Sequence, residues 1–396
     1  MHTGPPSPDR DPVSWLLDVS HTLAPADLGD AVARAMVGVG ATAACAYLVD
    51  HDQVRLHPFG AGCADRPVVE IAGTVAGRAF AWERTHTEEL DSGVRVWAPL
   101  LDGTARLGVV AVDLVTAPDA RVRRTIERVA ALTAELVISK GHYTDAIELA
   151  RRHQAMTLAA ELQRSNLPPV ALVTAQVAVA GVLQPAYEVA GDSFDYALNA
   201  DGLHVAILDS VGHDLDSSLI SHLVQGCLRN SRRRGLDLPA AYAVADEALA
   251  DLYRDQRFAT AAFGHLDPDS GRFRWISAGH PKPLVVRGTD VAVEAPTVPT
   301  VPIGLRPKKP PDVNEVVLDP GDTLVLYTDG VTEGGVRGGE RFGLDRFVDV
   351  LGRVLVGDLP PAEVLRRLVT AVLEHSAHEL HDDMGIMLVQ RRDGES

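Results

Sequence analysis

Four acidic clusters, each beside a run of apolar residues, constrain this chain more than any other feature. They are "AGDSFD" with Asp192 and Asp195, "LDSVGHD" with Asp209 and Asp214, "YTDGVTE" with Asp329 and Glu333, and "HDDMG" with Asp382 and Asp383. An aspartate ending a buried strand such as Val205–Leu208 faces a large desolvation cost unless it is paired or binds a cation. Four such residues brought together would repel one another. Hard divalent cations resolve the conflict, because Mg²⁺ and Mn²⁺ take carboxylate, carbonyl and water oxygens. Two such ions about 3.5–4 Å apart can share a water and lower its pKa, so no covalent side-chain nucleophile is needed. Gly191 and Gly330, beside two of the acids, fit turns where the backbone bends sharply or approaches an ion closely. One Asp-Gly pair is an ordinary turn; the reading rests on four sites of one kind.

The chain has 396 residues, which favours two domains, or two with a connector. Lys+Arg 37 against Asp+Glu 54 gives a formal net charge of -17, which repels phosphate backbones and anionic lipid surfaces. Nucleic acid and membrane are therefore not expected partners. Cys45, Cys63 and Cys227 lack the spacings of a zinc site or a disulfide framework, as suits a reducing cytoplasm. Met1–Arg10 has no basic start followed by an apolar run, and no stretch approaches eighteen apolar residues. A cytoplasmic protein is expected.

Apolar spacing predicts two short helices over Val13–Val37, broken around Pro25. Short strands are expected at Ala44–Val49, Gln53–Pro58 and Val68–Ile71, then a helix at Gly73–Arg84 and a hairpin joining Val94–Leu101 to Gly108–Leu114. That order, with "VRVWAPLLDGTARLGVVAVDL", resembles a GAF domain, a small sensory fold, which implies a small-molecule ligand of unspecified kind. Cys45, His57, Cys63 and His86 are scattered single residues and carry no metal or haem reading.

From Ala117 to Asn166 strand signals vanish, and Val122, Ile126, Val129, Thr133 and Leu136 follow alternating four and three spacing. The stripe either packs on the protein's own domains or forms a homodimer seam. "NLPPV" at Asn166–Val170 then stops the helix. Beyond it, strands are expected at Gln176–Leu183, Leu203–Leu208, Thr260–Leu266, Arg272–Ser277, Pro283–Val286, Glu315–Leu318, Thr323–Tyr327 and Gly385–Val389. Helices are expected at Ser217–Arg232, Pro239–Arg257 and Pro360–Ser376, the first with a stripe of Leu219, Leu223 and Cys227. Many antiparallel strands with segregated helices make an α+β fold, a β-sandwich flanked by helices. The expected organisation is a sensory domain at 13–138, a helical linker at 139–167 and a second domain at 168–393.

"EVAGDSFDY", "LDSVGHDLDSS", "RFRWISAGHPKPLVV", "PIGL", "GDTLVLYTDGVTE" and "HDDMGIMLV" occur in the order seen in SpoIIE-type phosphatases, of the PPM or type 2C superfamily. The resemblance spans about Gln163 to Gln390, and "LQRSNLPP" resembles the segment that precedes this domain in bacterial stress-response and sporulation phosphatases. It implies two Mn²⁺ or Mg²⁺ ions held by Asp192, Asp209, Asp329 and Asp382, with the Ser210 backbone carbonyl as a further ligand. Asp383 competes with Asp382 for the fourth place. The implied reaction is hydrolysis of phosphoserine or phosphothreonine on a regulatory phosphoprotein, such as an anti-sigma-factor antagonist.

Ser193, Asp214, Ser217–Ser218 and Gly385 depart from the family pattern beside the ligands. The rival readings are therefore a weak or inactive signalling scaffold, or a small-molecule receptor. Asp195 and Asp383 are expected to orient metal waters. His213 and His280 could touch phosphate or water, though turn-stabilising roles are the commoner use. Cys227 and Arg233 have the spacing of a cysteine phosphatase, but "GCLRNSRRRG" has no internal glycine for a phosphate cradle. The basic tail Arg229 and Arg232–Arg234 reads as a solvated helix end.

Overall fold

The computed structural model describes residues 11–394 other than 104, 190, 213, 255, 288–292, 337–338, 358, 379 and 381. The chain divides into two compact units, Met1–Ala155 and Met156–Ser396. The stretch expected as a separate linker is shared between them.

The first unit runs α1 (Pro12–Ser20), α2 (Leu28–Val37), β1 (Ala43–Val49), β2 (Arg55–Phe59), β3 (Val69–Glu70), α3 (Val75–Trp82), β4 (His86–Leu90), β5 (Gly93–Asp102), β6 (Ala105–Leu114), α4 (Ala120–Gly141) and α5 (Ala146–Ala150). Its antiparallel sheet has the order β3-β2-β1-β6-β5-β4. The period of two along β1 sends Ala46 and Leu48 to the face covered by α1, α2 and α4, and Cys45, Tyr47 and Val49 to the face covered by α3. Ile126, Val129, Thr133 and Leu136 of α4 are buried in this unit, Thr133 donating its hydroxyl to the Val129 carbonyl at 2.7 Å. The unit's own core therefore takes up the residues expected for a dimer seam.

The second unit adds α6 (Leu158–Asn166), β7 (Ala171–Val173), β8 (Val177–Gln184), β9 (Ser193–Asn199), β10 (Gly202–Ser210), α7 (Leu215–Arg233), α8 (Leu238–Tyr253), β11 (Ala259–Leu266), β12 (Arg272–Ala278), β13 (Leu284–Val286) and β14 (Val293–Glu294). It ends with β15 (Asn314–Val317), β16 (Thr323–Tyr327), α9 (Gly330–Glu333), α10 (Leu344–Leu355), α11 (Pro361–His375) and β17 (Met384–Arg391). Two antiparallel sheets, β15-β12-β11-β10-β9 and β14-β13-β16-β17-β8-β7, face each other across a core of Val179, Val205, Ile207, Trp275, Leu324 and Met387. The outer face of the first sheet packs on α7 and α8, and that of the second on α10 and α11.

Helix α7 corrects one expectation. Its apolar contacts come from Ile220, Val224 and Leu228, whereas Leu219 is 45% exposed and Leu223 and Cys227 are only partly buried. Ser218, Ser221 and Gln225 are fully buried as well, so α7 turns a polar face inward. Its basic end is not free in solvent either: Arg229 and Arg232 hold the buried Asp195 of β9 at 2.8 and 3.1 Å.

Candidate active site

The two sheets bring their acidic ends together. Asp192 enters β9, Asp209 lies one residue before the end of β10, Asp329 follows β16, and Asp382 and Asp383 precede β17. Leu208 pairs with Ser193 in one sheet and Tyr327 with Ile386 in the other, so register sets each pair of turns side by side. Hydrogen bonds then tie the sheets to each other. Asp383 Oδ2 accepts from Gly191 N at 2.7 Å, and Thr328 Oγ1 donates to Asp192 Oδ2 at 2.6 Å while accepting from Gly385 N at 2.8 Å.

The electrostatics show that these carboxylates act on one another. Burial, then the charges of Asp209 and Asp383, hold Asp192 well above the ordinary carboxylate value, against the Thr328 hydrogen bond. Asp209 is pushed up to about 7 by burial first and then by Asp329, Asp382 and Asp383. Asp329 is raised by burial, Asp382 and Glu333. No cationic side chain is among the causes of these shifts. A cluster of oxygen donors that disfavours its own ionisation fits hard divalent cations, whose binding relieves the repulsion.

Close backbone packing makes the site possible. A Cβ on Gly191 would stand 2.7 Å from the Ser210 carbonyl oxygen, and one on Gly330 would stand 1.8 Å from that of Asp383. Side chains at these two positions would push the ligand turns apart. Behind Asp192 lies a network that sequence reasoning missed. Gln163 of α6 donates to the Asp192 carbonyl at 2.7 Å, Ser221 bonds to the Ser210 hydroxyl and the Gly191 carbonyl, and Gln225 accepts from Ser193 at 3.2 Å and donates to the Phe194 carbonyl. The signal was present in "LQRSN" and in the serines of α7, but an apolar-stripe reading discards polar residues.

The remaining candidates separate from the cluster. Asp195 lies on β9 with its carboxylate taken by Arg229 and Arg232, so it orients α7 rather than water. His280 is buried, bonded through Nδ1 to Thr260 Oγ1 at 2.9 Å, and pushed down to about 3 by burial. It is a neutral support for Thr260, which stands opposite Asp209 across the ladder. His213 lies outside the described residues. Asp214 caps α7, accepting from Ser217 N at 3.1 Å. Among the described residues, the one compact trio of His, Cys, Asp or Glu donors, Asp201, His204 and His265, lies elsewhere in the first sheet, so the motif carboxylates are not gathered round one point.

Residues 199–392 match the family model for Stage II sporulation protein E (SpoIIE). Protein IcfG of Synechocystis is 23% identical over 219 residues, which cover 48% of this chain and 34% of IcfG. Phosphoserine phosphatase RsbU of Bacillus subtilis is 19% identical over 237 residues, covering 59% of this chain and 69% of RsbU. The match thus spans about a third of one relative and somewhat over two thirds of the other. The solved SiaA-PP2C domain of Pseudomonas aeruginosa shares the fold, with a TM-score of 0.50 at 23% identity over 59% of this chain and 94% of that one.

Proposed function

We propose that this protein, whose residues 199–392 match the SpoIIE family model, is a metal-dependent protein serine/threonine phosphatase acting on a regulatory phosphoprotein. The observation that carries the reading is the electrostatic coupling of the motif carboxylates: Asp192, Asp209 and Asp329 are each raised by burial and then by the charges of others among Asp209, Asp329, Asp382 and Asp383. Two Mn²⁺ or Mg²⁺ ions bound there would supply positive charge to the phosphoryl oxygens and acidity to the attacking water.

The chain's own residues do the positioning. Thr328 fixes one Asp192 oxygen, which leaves the other to bind. Asp383 holds the Gly191 turn through its backbone N–H, so it supports the site while the exposed Asp382, whose charge acts on Asp192, Asp209 and Asp329, is the better fourth ligand. The Ser210 carbonyl faces the Gly191 turn and supports a further ligand role. The departures from the family pattern are absorbed locally. Asp214 caps a helix, and at Gly385 a Cβ would stand 3.4 Å from Asp192 Oδ2. Gln163 on α6 touches the Asp192 backbone, which supports control of the site through the helix ahead of "NLPP".

The first unit is read as a GAF-like sensor, supported by its six-stranded antiparallel sheet with helices on both faces. A cavity of about 380 Å³ beside Tyr47, Trp97, Arg66 and Arg95 supports a small-molecule ligand. Among the described residues no helix is long and apolar enough to cross a membrane. The test is phosphate release from phosphoserine and phosphothreonine proteins with Mn²⁺. Activity lost in Asp329→Ala is expected, and activity unchanged by that substitution overturns the assignment.

A further inference from the structure

A second cluster of ligating side chains lies on β10 and β11, at the other end of β10 from the aspartates. His204 and His265 are direct cross-strand partners, so their side chains stand on the same face of the sheet, with ring centroids 4.7 Å apart. Asp201 sits in the tight turn that joins β9 to β10. Both imidazoles turn the same nitrogen toward it: His204 Nε2 is 3.2 Å from Asp201 Oδ2, and His265 Nε2 is 2.8 Å from the Asp201 carbonyl oxygen. One ligand atom from each of the three residues falls within 4.8 Å of the others. The turn is shaped to allow this, because Gly202 has φ +128 and a Cβ there would stand 2.8 Å from His265 Nε2.

We propose that Asp201, His204 and His265 form a cation site separate from the aspartate cluster, suited to an imidazole-preferring transition metal such as Zn²⁺ or Cu²⁺. Two nitrogens, a carboxylate oxygen and a carbonyl oxygen make a mixed set that such metals take readily, whereas the all-oxygen donors of the aspartate cluster suit Mg²⁺ and Mn²⁺. His204 and Asp209 are five residues apart on one strand, roughly 17 Å at strand rise, so the two sites do not share ligands. All three residues line one cavity of about 390 Å³, which gives the ion an entry path. Bound there, the ion would fasten the β9–β10 turn to β11.

The test uses the full chain with excess Mg²⁺ to occupy the aspartates and one equivalent of Cu²⁺ as probe, read by electron paramagnetic resonance. Two-nitrogen superhyperfine splitting is expected in the wild type and in Asp209→Ala. It should fall to one nitrogen or vanish in His265→Ala and His204→Ala. Asp201→Asn, on an exposed turn and outside the ladder, should weaken Zn²⁺ binding roughly 10-fold or more by competition with a chromophoric chelator. If a histidine variant fails to fold by circular dichroism, the Asp201→Asn result decides alone. Absence of nitrogen splitting in the wild type overturns the proposal. So does splitting or Zn²⁺ affinity that survives Asp201→Asn and His265→Ala unchanged, since copper is then on others of the 15 histidines.

Discussion

Replacing Asp209 by Asn tests the electrostatics of the cluster, because it removes one charge and keeps the shape. Burial and the neighbouring carboxylates push Asp209 from 3.8 up to about 7, worth about 4 kcal/mol between its protonation states. At pH 8 without metal, the ionised carboxylate therefore costs the folded state at most about 4 kcal/mol. Shared repulsion with Asp329, Asp382 and Asp383, and partial solvent access, reduce this to about 2 kcal/mol. The sign follows from a folded pKa above the unfolded one: the wild type is favoured below about pH 4 and loses that advantage as pH rises through about 7. In EDTA at pH 8, Asp209→Asn should thus raise the unfolding midpoint of the second unit by roughly 4–8 °C in scanning calorimetry. Below about pH 4 the gap should close, since Asp209 is then protonated in the folded and the unfolded chain alike. Saturating Mn²⁺ at pH 8 should reverse the order, because only the wild type offers the full anionic site. A variant that melts lower than wild type in EDTA at pH 8, or a gap that persists undiminished below about pH 4, refutes the reasoning.

Other substitutions separate binding from scaffolding. Thr328→Val removes the hydroxyl that fixes Asp192, and Mn²⁺ titration should show affinity weakened roughly 10- to 100-fold. Gly330→Ala places a Cβ against the Asp383 carbonyl, so the ligand turns must separate; phosphatase activity should be lost together with at least about 2 kcal/mol of stability in urea unfolding. Asp195→Asn removes the carboxylate charge shared by Arg229 and Arg232 and should cost about 3 kcal/mol in urea unfolding while changing Mn²⁺ affinity less than Thr328→Val does.

Much of this architecture is legible in the residues, because strands such as Thr323–Tyr327 are short apolar runs between turn formers. Strand β9 is not, since "SFDYALN" carries the acidic motif and reads as a loop, and only pairing with β10 makes it a strand. Helix α10 is absent from the sequence expectations although Phe347 and Leu351 carry a core stripe. The inward face of α7 differs from the expected one for a physical reason: Leu219 is outside, while Ser221 and Gln225 are inside because the Gly191 and Phe194 carbonyls beside Asp192 need partners, and Ser218 is inside because it bonds to the Ala159 carbonyl of α6. Of the proposed ligands, Asp192, Asp209 and Asp329 read as a set because burial penalises each of them in the same way. The proposal of Asp382 over Asp383 as fourth ligand rests on the Gly191 hydrogen bond to Asp383, which joins residues 192 positions apart and is not legible in the sequence.

Equilibrium dialysis of Mn²⁺ against the full chain tests the central claim most directly. The account predicts two ions bound per chain at pH 8, with binding lost from at least one of them in Asp329→Asn and both weakened in Asp209→Asn. No Mn²⁺ retained by the wild type, or the same stoichiometry and affinity in both variants, would contradict it.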